Sequence, residues 1–209
     1  MADTKISALS AVAAVLAAQE FAVNDAGTSK KATAAQIKTW LNEWTFLGFT
    51  ELGSDNANIT VTLSVSKKFL RCYARVAGYS GSDTARWRFN GDTAANYGAV
   101  ASEPADAAAT STINTAGILV GEAAQTTPRA ILVADVVKEA TGRVAKLRGH
   151  GIDDTESIGT ALVLTNHGGL WNNTSSLITS VTLNGGSCGA SLLTGSWVAV
   201  WGSDNTASA

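Results

Sequence analysis

The sequence predicts a mainly β protein: an antiparallel, jelly-roll-like β-sandwich preceded by a small N-terminal module of α-helix and hairpin. About eight to ten short segments with strand character follow one another after residue 45, separated by turns and with no helical period. Residues 1–45 differ in kind, because they are rich in alanine and space their apolar residues as helices do. We therefore divide the chain into an attachment or oligomerisation module, 1–45, and a β-sandwich domain, 46–209.

Composition gives no support to two classes of partner, nucleic acid and membrane. Charged residues make up 15% of the 209 residues and the net charge is −2, so nothing favours nucleic acid or an anionic membrane. No run of about 18 apolar residues predicts membrane insertion. The N-terminus lacks the pattern of a signal peptide, and we expect assembly in a cytoplasm.

The N-terminal module begins with a helix-favouring segment, Ser7–Ala18, whose apolar residues form one narrow stripe. A stripe this thin needs a partner surface. Glu20–Asn24 is extended, Asp25-Ala26-Gly27 turns the chain, and 30–32 return, which predicts a hairpin.

A second helix is predicted after this hairpin. Thr33 and Gln36 form a capping box, and Ile37, Trp40, Leu41 and Trp44 follow on one helical face. Two tryptophans on one short helix require burial. The partner is either the chain's own domain, or neighbouring copies or a larger particle.

Lys5–Ile37, KISALSAVAAVLAAQEFAVNDAGTSKKATAAQI, resembles the N-terminal attachment module of tailed-phage fibre, spike and other virion proteins. That module has K-I-S-x-L, an acidic-aliphatic strand, a Gly turn, a basic pair and T-x-x-Q-[IL]. The resemblance covers roughly residues 5–41. It implies attachment to other virion proteins (capsid, portal/collar or baseplate), or assembly as a homo-oligomer, for which we predict a trimer. The predicted attachment residues are Ile6, Leu9, Leu16, Phe21, Ile37, Trp40, Leu41 and Trp44.

The β-sandwich is predicted from alternating segments. Ile59–Val65 alternates apolar with Thr and Ser, and Phe69–Tyr79 places Leu70, Cys72, Ala74 and Val76 inward and Arg71, Tyr73 and Arg75 outward. Ala85–Phe89 is a strand that enters the turn Asn90-Gly91-Asp92. The further predicted strands are Ile113–Val120, Arg129–Lys138, Arg143–Arg148, Thr160–Thr165, Leu177–Leu183 and Gly195–Gly202, the last with Trp197 and Trp201 on one face. The predicted loops include 98–112, Gly149–Ile158 and Gly168–Asn173.

Four ordered motifs resemble a β domain of tailed-phage virion proteins. They are RFNGDxxxNY at Arg88–Tyr97, a Gly-x-Trp-x-Asn loop at Gly169–Asn172, and the strands Ile178–Leu183 and Gly195–Gly202. The resemblance implies a structural protein of the virion: a tail fibre or spike, a head fibre, or a capsid decoration protein that displays a jelly roll.

No catalytic motif is present, and we predict no enzyme, no cofactor and no metal. The histidines lack zinc-ligand spacing, and GxSxG, P-loop and GxGxxG patterns are absent. The acidic cluster Asp153, Asp154 and Glu156 favours a solvated turn over a Ca²⁺ site. Glycan hydrolysis by these carboxylates is the weaker alternative.

Glycan binding is the sharper hypothesis for the displayed surface, and a soluble carbohydrate-binding, lectin-like module is the alternative function. Tyr97 and Trp171 are the candidate stacking platforms, with Asn172 and Asn173 as hydrogen-bonding partners. The competing interpretation is that the tryptophans pack in the core or between subunits.

The two cysteines, Cys72 and Cys188, lie far apart in sequence. Two buried free thiols are favoured, and the possibility that they are paired stays open.

Overall fold

The computed structural model describes residues 20–25, 28–33, 44–81, 85–102, 110–120, 129–138, 145–154, 163–185 and 190–204. The chain divides into two compact units, residues 1–43 and residues 44–209. The sequence predicts this boundary after residue 45.

The first unit contains a β-hairpin. Strands β1 (Glu20–Asp25) and β2 (Thr28–Thr33) pair antiparallel, with Glu20 opposite Thr33 and Asp25 opposite Thr28. An ion pair of 2.7 Å joins Lys31 Nζ to Glu20 Oε2 across the hairpin. The predicted hairpin is therefore confirmed. Both predicted helices lie outside the described residues, except for Trp44.

The second unit is built from strands. Its described strands are β3 (Thr45–Glu51), β4 (Asn58–Thr62), β5 (Phe69–Val76), β6 (Arg86–Phe89), β7 (Tyr97–Ser102), β8 (Thr110–Thr115), β9 (Ile118–Leu119), β10 (Arg129–Val137), β11 (Ala145–Asp154), β12 (Val163–Trp171), β13 (Ser180–Asn184) and β14 (Trp197–Ser203).

These strands form two antiparallel sheets. The larger has the order β3-β14-β5-β10-β11-β12-β7-β8, and the smaller has the order β4-β13-β6-β9. Buried side chains from both sheets form one hydrophobic core, as in a β-sandwich. The mainly β, antiparallel class is confirmed.

The core follows from alternation along the strands. In β5, Leu70, Cys72, Ala74 and Val76 are buried as predicted, because every second side chain of a strand points to the same face. In the smaller sheet, a fully buried row of side chains runs across four strands. Its members are Ile59, Leu183, Trp87 and Ile118. Burying each such side chain contributes about 1.5–3 kcal/mol.

Cys72 is buried and free, as predicted, and burial raises the pKa of its thiol to about 12. Cys188 lies outside the described residues.

Asn90 and Gly91 form the predicted tight turn after β6. Both residues have positive φ, 53° at Asn90 and 65° at Gly91, as a type I′ turn requires. Asp92 N donates to Phe89 O at 3.0 Å and closes the turn.

Three predicted loops are wrong in part, because strands occupy some of the described residues of each. Strands β7 and β8 occupy much of 98–112, β11 extends to Asp154, and β12 includes the glycine pair Gly168-Gly169. Glycine and small residues suggested turns, but here they allow close approach between strands. A Cβ at Gly169 would lie against Gly98 O and 2.9 Å from Ile118 Cγ2.

Candidate binding groove

One end of the eight-stranded sheet carries aromatic side chains on its outward face. In β14, Trp197, Ala199 and Trp201 share this face, because Val198 and Val200 between them are buried in the core. The prediction that the two tryptophans share a face is confirmed.

Strand β5 places its outward side chains beside those of β14. The register pairs Trp201 with Arg71 and Ala199 with Tyr73. Ala199 points outward, yet only 4% of it is exposed, so the larger neighbouring side chains cover it. The aromatic side chains next to Ala199 therefore pack over this small residue.

A bulge in β3 adds two phenylalanines. The pairing of β3 with β14 shifts between Val200 and Trp201, which leaves Leu47 as an extra residue in β3. The shift lets Phe46 and Phe49 both lie outward, which strict alternation would forbid. They are 53% and 51% exposed.

These rings contact one another. Trp201 meets Phe46 edge-on, with centroids 5.3 Å apart and planes at 62°, and meets Tyr73 at 5.5 Å and 89°. Phe49 and Trp197 lie 6.1 Å apart. Edge-to-face pairs contribute about 0.5–1.5 kcal/mol each beyond burial. Trp201 is thus held between two rings.

A groove of about 520 Å³ lies among Trp44, Arg71, Tyr73, Trp197 and Trp201. Its size falls within the roughly 300–1,000 Å³ that small-molecule sites occupy. Trp197 and Trp201 are four residues apart in one strand, which corresponds to about 13 Å along the sheet. We name this site the aromatic groove.

Arg71 supplies the charged group of the aromatic groove, and Asp135 neutralises it. Arg71 Nε donates to Asp135 Oδ1 at 2.7 Å and Nη2 donates to Oδ2 at 3.2 Å. The hydrogen bond with Asp135 raises the pKa of Arg71. The same guanidinium lies 5.0 Å from the ring centroid of Trp44, which is a cation–π distance.

The structure contradicts the prediction that Tyr97 and Trp171 are sugar platforms. Tyr97 is 1% exposed and Trp171 is fully buried. Their rings stack at 6.4 Å and 19° inside the core, and Phe89 packs against both. The competing interpretation, core packing, holds for Trp171. Burial raises the pKa of Tyr97 to about 12.

The carboxylate of Asp92 accepts hydrogen bonds from the buried cluster and from the turn beside it. Trp171 Nε1 donates to Asp92 Oδ2 at 2.7 Å, Asn96 Nδ2 donates to the same oxygen at 3.0 Å, and Ala94 N donates to Oδ1 at 2.9 Å. Burial acts to raise the pKa of Asp92, but these hydrogen bonds outweigh it and lower the pKa. Asp92 is therefore a structural acceptor.

Asn172 and Asn173 lie at the end of β12. Asn172 is exposed, whereas Asn173 is half-buried and its Oδ1 accepts from the backbone N–H of Ser175 and of Ser176, at 3.0 and 3.1 Å. Asn173 O also accepts from Lys138 Nζ at 2.6 Å. The side chain of Asn173 thus shapes its own loop, and the groove lies on other strands.

Two of the predicted attachment residues are described. Phe21 lies in β1 and is 40% exposed, and Trp44 belongs to the second unit, is 36% exposed and lines the aromatic groove. The others lie outside the described residues: Ile6, Leu9, Leu16, Ile37, Trp40 and Leu41.

Within the described ranges, no group of three or more His, Cys, Asp or Glu side chains could hold a metal ion. Nor do those ranges include a helix long and apolar enough to cross a membrane. The carboxylates of Asp153, Asp154 and Glu156 lie outside what the structure describes.

Comparisons with known proteins add no relative. No family model, no curated protein and no solved structure matches this chain.

Sequence reasoning named single groove residues without bringing them together. It placed Tyr73 outward and Trp197 and Trp201 on one face, and those were the available signals. It missed Phe46 and Phe49, because only the bulge in β3 turns both outward.

Proposed function

We propose that this chain is a non-enzymatic structural protein of a phage virion, assembled in the bacterial host cytoplasm. Its N-terminal unit attaches it to capsid, portal/collar or baseplate proteins and forms a homotrimer. Its β-sandwich is displayed outward, where it contacts host surface glycans. The candidate roles are tail fibre or spike, head fibre, and capsid decoration.

The observation that carries this proposal is the division of the chain after residue 43. The hairpin of the first unit, Glu20–Thr33, falls where the resemblance to phage attachment modules expects a strand, a glycine turn and a basic pair. A small unit that precedes a larger sandwich is the arrangement that an attached, displayed domain requires.

We also propose a jelly-roll-like chain path and a helical part in the attachment module. Support for the path is that the chain changes sheet repeatedly: β3 and β5 lie in the large sheet, while β4 and β6 lie in the small one. Jelly rolls alternate between two sheets in this way. The division into eight and four strands departs from two equal sheets.

Particle incorporation tests the proposal. Host cells carrying the phage or prophage that encodes this gene, with the gene deleted, would supply either the full chain or residues 44–209 from a plasmid. We expect the full chain in purified particles, and residues 44–209 as a folded protein in the soluble fraction only. Full-length Trp197→Ala is the matched control and is expected in particles. Normal incorporation of residues 44–209, or absence of the full chain from particles, would contradict the proposal.

The aromatic groove favours a second candidate function, a soluble carbohydrate-binding module of lectin type. Such a protein needs no particle. Purified particles that lack the full chain, combined with glycan binding by the free protein, would select this alternative.

A further inference from the structure

We propose that the aromatic groove binds an uncharged glycan, with pyranose rings against the faces of its indole and phenol side chains. The inference names a ligand class for a site that the sequence did not predict. It rests on the groove alone and holds whether the protein acts on a virion or free in solution.

The side chains that line the groove are mostly aromatic. Three tryptophans and one tyrosine line the groove beside a single charged side chain, Arg71. The faces of aromatic rings carry partial negative charge and attract weakly positive C–H groups, which a pyranose presents on its flat faces. A sugar also needs hydrogen-bonding partners at its edge, where its hydroxyl groups lie.

Arg71 supplies those partners in a fixed orientation. A guanidinium has five N–H donors in one plane, and the fork to Asp135 engages two of its nitrogens. Because the carboxylate fixes this plane beside the ring of Trp44, the guanidinium is oriented before any ligand arrives.

The charge balance selects an uncharged ligand. Among the five lining residues Arg71 carries the charge, and the carboxylate of Asp135 compensates it. Single-stranded nucleic acid also stacks on aromatic rings, but its binding requires a positively charged groove that follows the phosphates. A phosphate or sulfate ligand would have to compete with the carboxylate for Arg71.

The dimensions favour a small ligand over a protein partner. The groove is a concave space of about 520 Å³ bounded by five side chains. A stable protein interface buries about 800 Å² on each partner and involves roughly 20–30 residues. An oligosaccharide that spans the Trp197–Trp201 separation, about 13 Å along the strand, suits this space better.

Rigidity supports the same ligand class. Tyr73, Trp197 and Trp201 project from paired strands, and Trp201 is held edge-on between Phe46 and Tyr73. Ordering these side chains on binding costs little entropy, since the protein has ordered them already.

The test is titration of the full chain with neutral oligosaccharides: cellohexaose, maltohexaose and mannohexaose. Heparin oligosaccharide and oligo-dT serve as anionic probes. Binding is measured by calorimetry at millimolar ligand and by tryptophan fluorescence, because Trp44, Trp197 and Trp201 border the groove. We expect at least one neutral oligosaccharide to bind, and Trp197→Ala and Trp44→Ala each to weaken it about tenfold or more.

Leu170→Ala is the matched control. Leu170 is 41% exposed and points outward from β12 in the same sheet, on a strand separated from β5 by β10 and β11. We expect unchanged affinity. Trp201→Phe keeps a ring between Phe46 and Tyr73, and we expect it to fold and to bind more weakly.

Three results would overturn the inference. In the first, the folded full chain binds none of the three neutral oligosaccharides; in the second, it binds an anionic probe only. In the third, Trp197→Ala and Trp44→Ala leave the binding of a neutral oligosaccharide intact. Self-association of the full chain that Trp197→Ala abolishes, without sugar binding, would assign the groove to a second copy of the chain instead.

Discussion

At the scale of single residues, the carboxylate of Asp92 connects a turn to the buried ring cluster. It accepts from the indole of Trp171, from the side chain of Asn96 and from the backbone of Ala94. Because Trp171 is fully buried, loss of this carboxylate would leave its indole N–H without its hydrogen-bond acceptor.

Asp92→Ala is therefore expected to lower the free energy of unfolding by about 1–3 kcal/mol, the usual cost of a buried donor left unpaired. Urea unfolding followed by circular dichroism measures this. Asp92→Asn keeps an acceptor oxygen and should cost less. Asn172→Ala, at the exposed residue next to Trp171, should stay within about 0.5 kcal/mol of the parent. Equal losses for Asp92→Ala and Asn172→Ala would show that the carboxylate has no special role.

His167 is the second residue with a measurable consequence. Its side chain is 3% exposed, and within the described part of the chain neither ring nitrogen has a hydrogen-bond partner. Burial, with a smaller contribution from the charge of His150, lowers the pKa of His167 to about 4. The folded protein therefore holds this imidazole neutral at pH values where the unfolded chain protonates it.

This difference predicts a loss of stability in mild acid. The pKa of His167 in the folded protein lies below the unfolded value of 6.5. The contribution of its neutral imidazole to the free energy of unfolding is therefore intact above pH 6.5 and is lost as the pH falls to about 4. The loss over this window is on the order of 3 kcal/mol. Urea unfolding at a series of pH values gives the free energy of unfolding of the parent and of His167→Leu. The loss is the difference between the two proteins in the slope of this free energy against pH. The exposed His150→Gln should keep most of the parental slope, and identical slopes for the parent and His167→Leu would rule out this assignment.

At the scale of elements, the turn after β6 does more than reverse the chain. Asn90 Nδ2 donates to Leu177 O at 2.7 Å, and its Oδ1 accepts from Thr179 N at 2.7 Å and from Ser180 N at 3.2 Å. One side chain thus fixes the segment that enters β13. Asn90 also tolerates the positive φ better than most residues do.

The two duties of the turn can be separated by substitution. Gly91→Ala should cost about 1–2 kcal/mol for backbone strain alone, because a Cβ at this position meets nothing within 4 Å. Asn90→Ala should cost more, since it adds the loss of four side-chain hydrogen bonds to a similar strain. Asn90→Gly, which accepts the φ but lacks the amide, should isolate the hydrogen bonds. Thermal unfolding ranks the three variants, and an Asn90→Gly variant as stable as the parent would exclude the side-chain role.

Elements with strict alternation were predictable, whereas glycine-containing strands were not. Ile59–Val65 and Phe69–Tyr79 alternate strongly, and both overlap observed strands. Gly149 suggested a loop but lies within β11, where a Cβ would contact His167 Nε2 and Val133 O. Such close approaches depend on the neighbouring strand, and no local sequence pattern encodes them.

At the scale of the whole molecule, the groove could not be predicted because its strands are distant in sequence. It combines Trp44, before β3, with residues of β5 and β14, and these strands are neighbours only through sheet pairing. The two aromatic residues that the sequence motifs suggested as sugar platforms, Tyr97 and Trp171, are instead buried in the core. Exposure of an aromatic ring depends on which face the finished sheet turns outward.

The position of β14 has a consequence for biosynthesis. This strand lies between β3 and β5 in the large sheet, although it follows every other described strand along the chain. A ribosome therefore exposes β3 and β5 before the strand that joins them exists, and pairing over such separations is slow. Trp197 and Trp201 belong to that strand. A nascent chain that ends before β14 would therefore have neither the complete large sheet nor the groove.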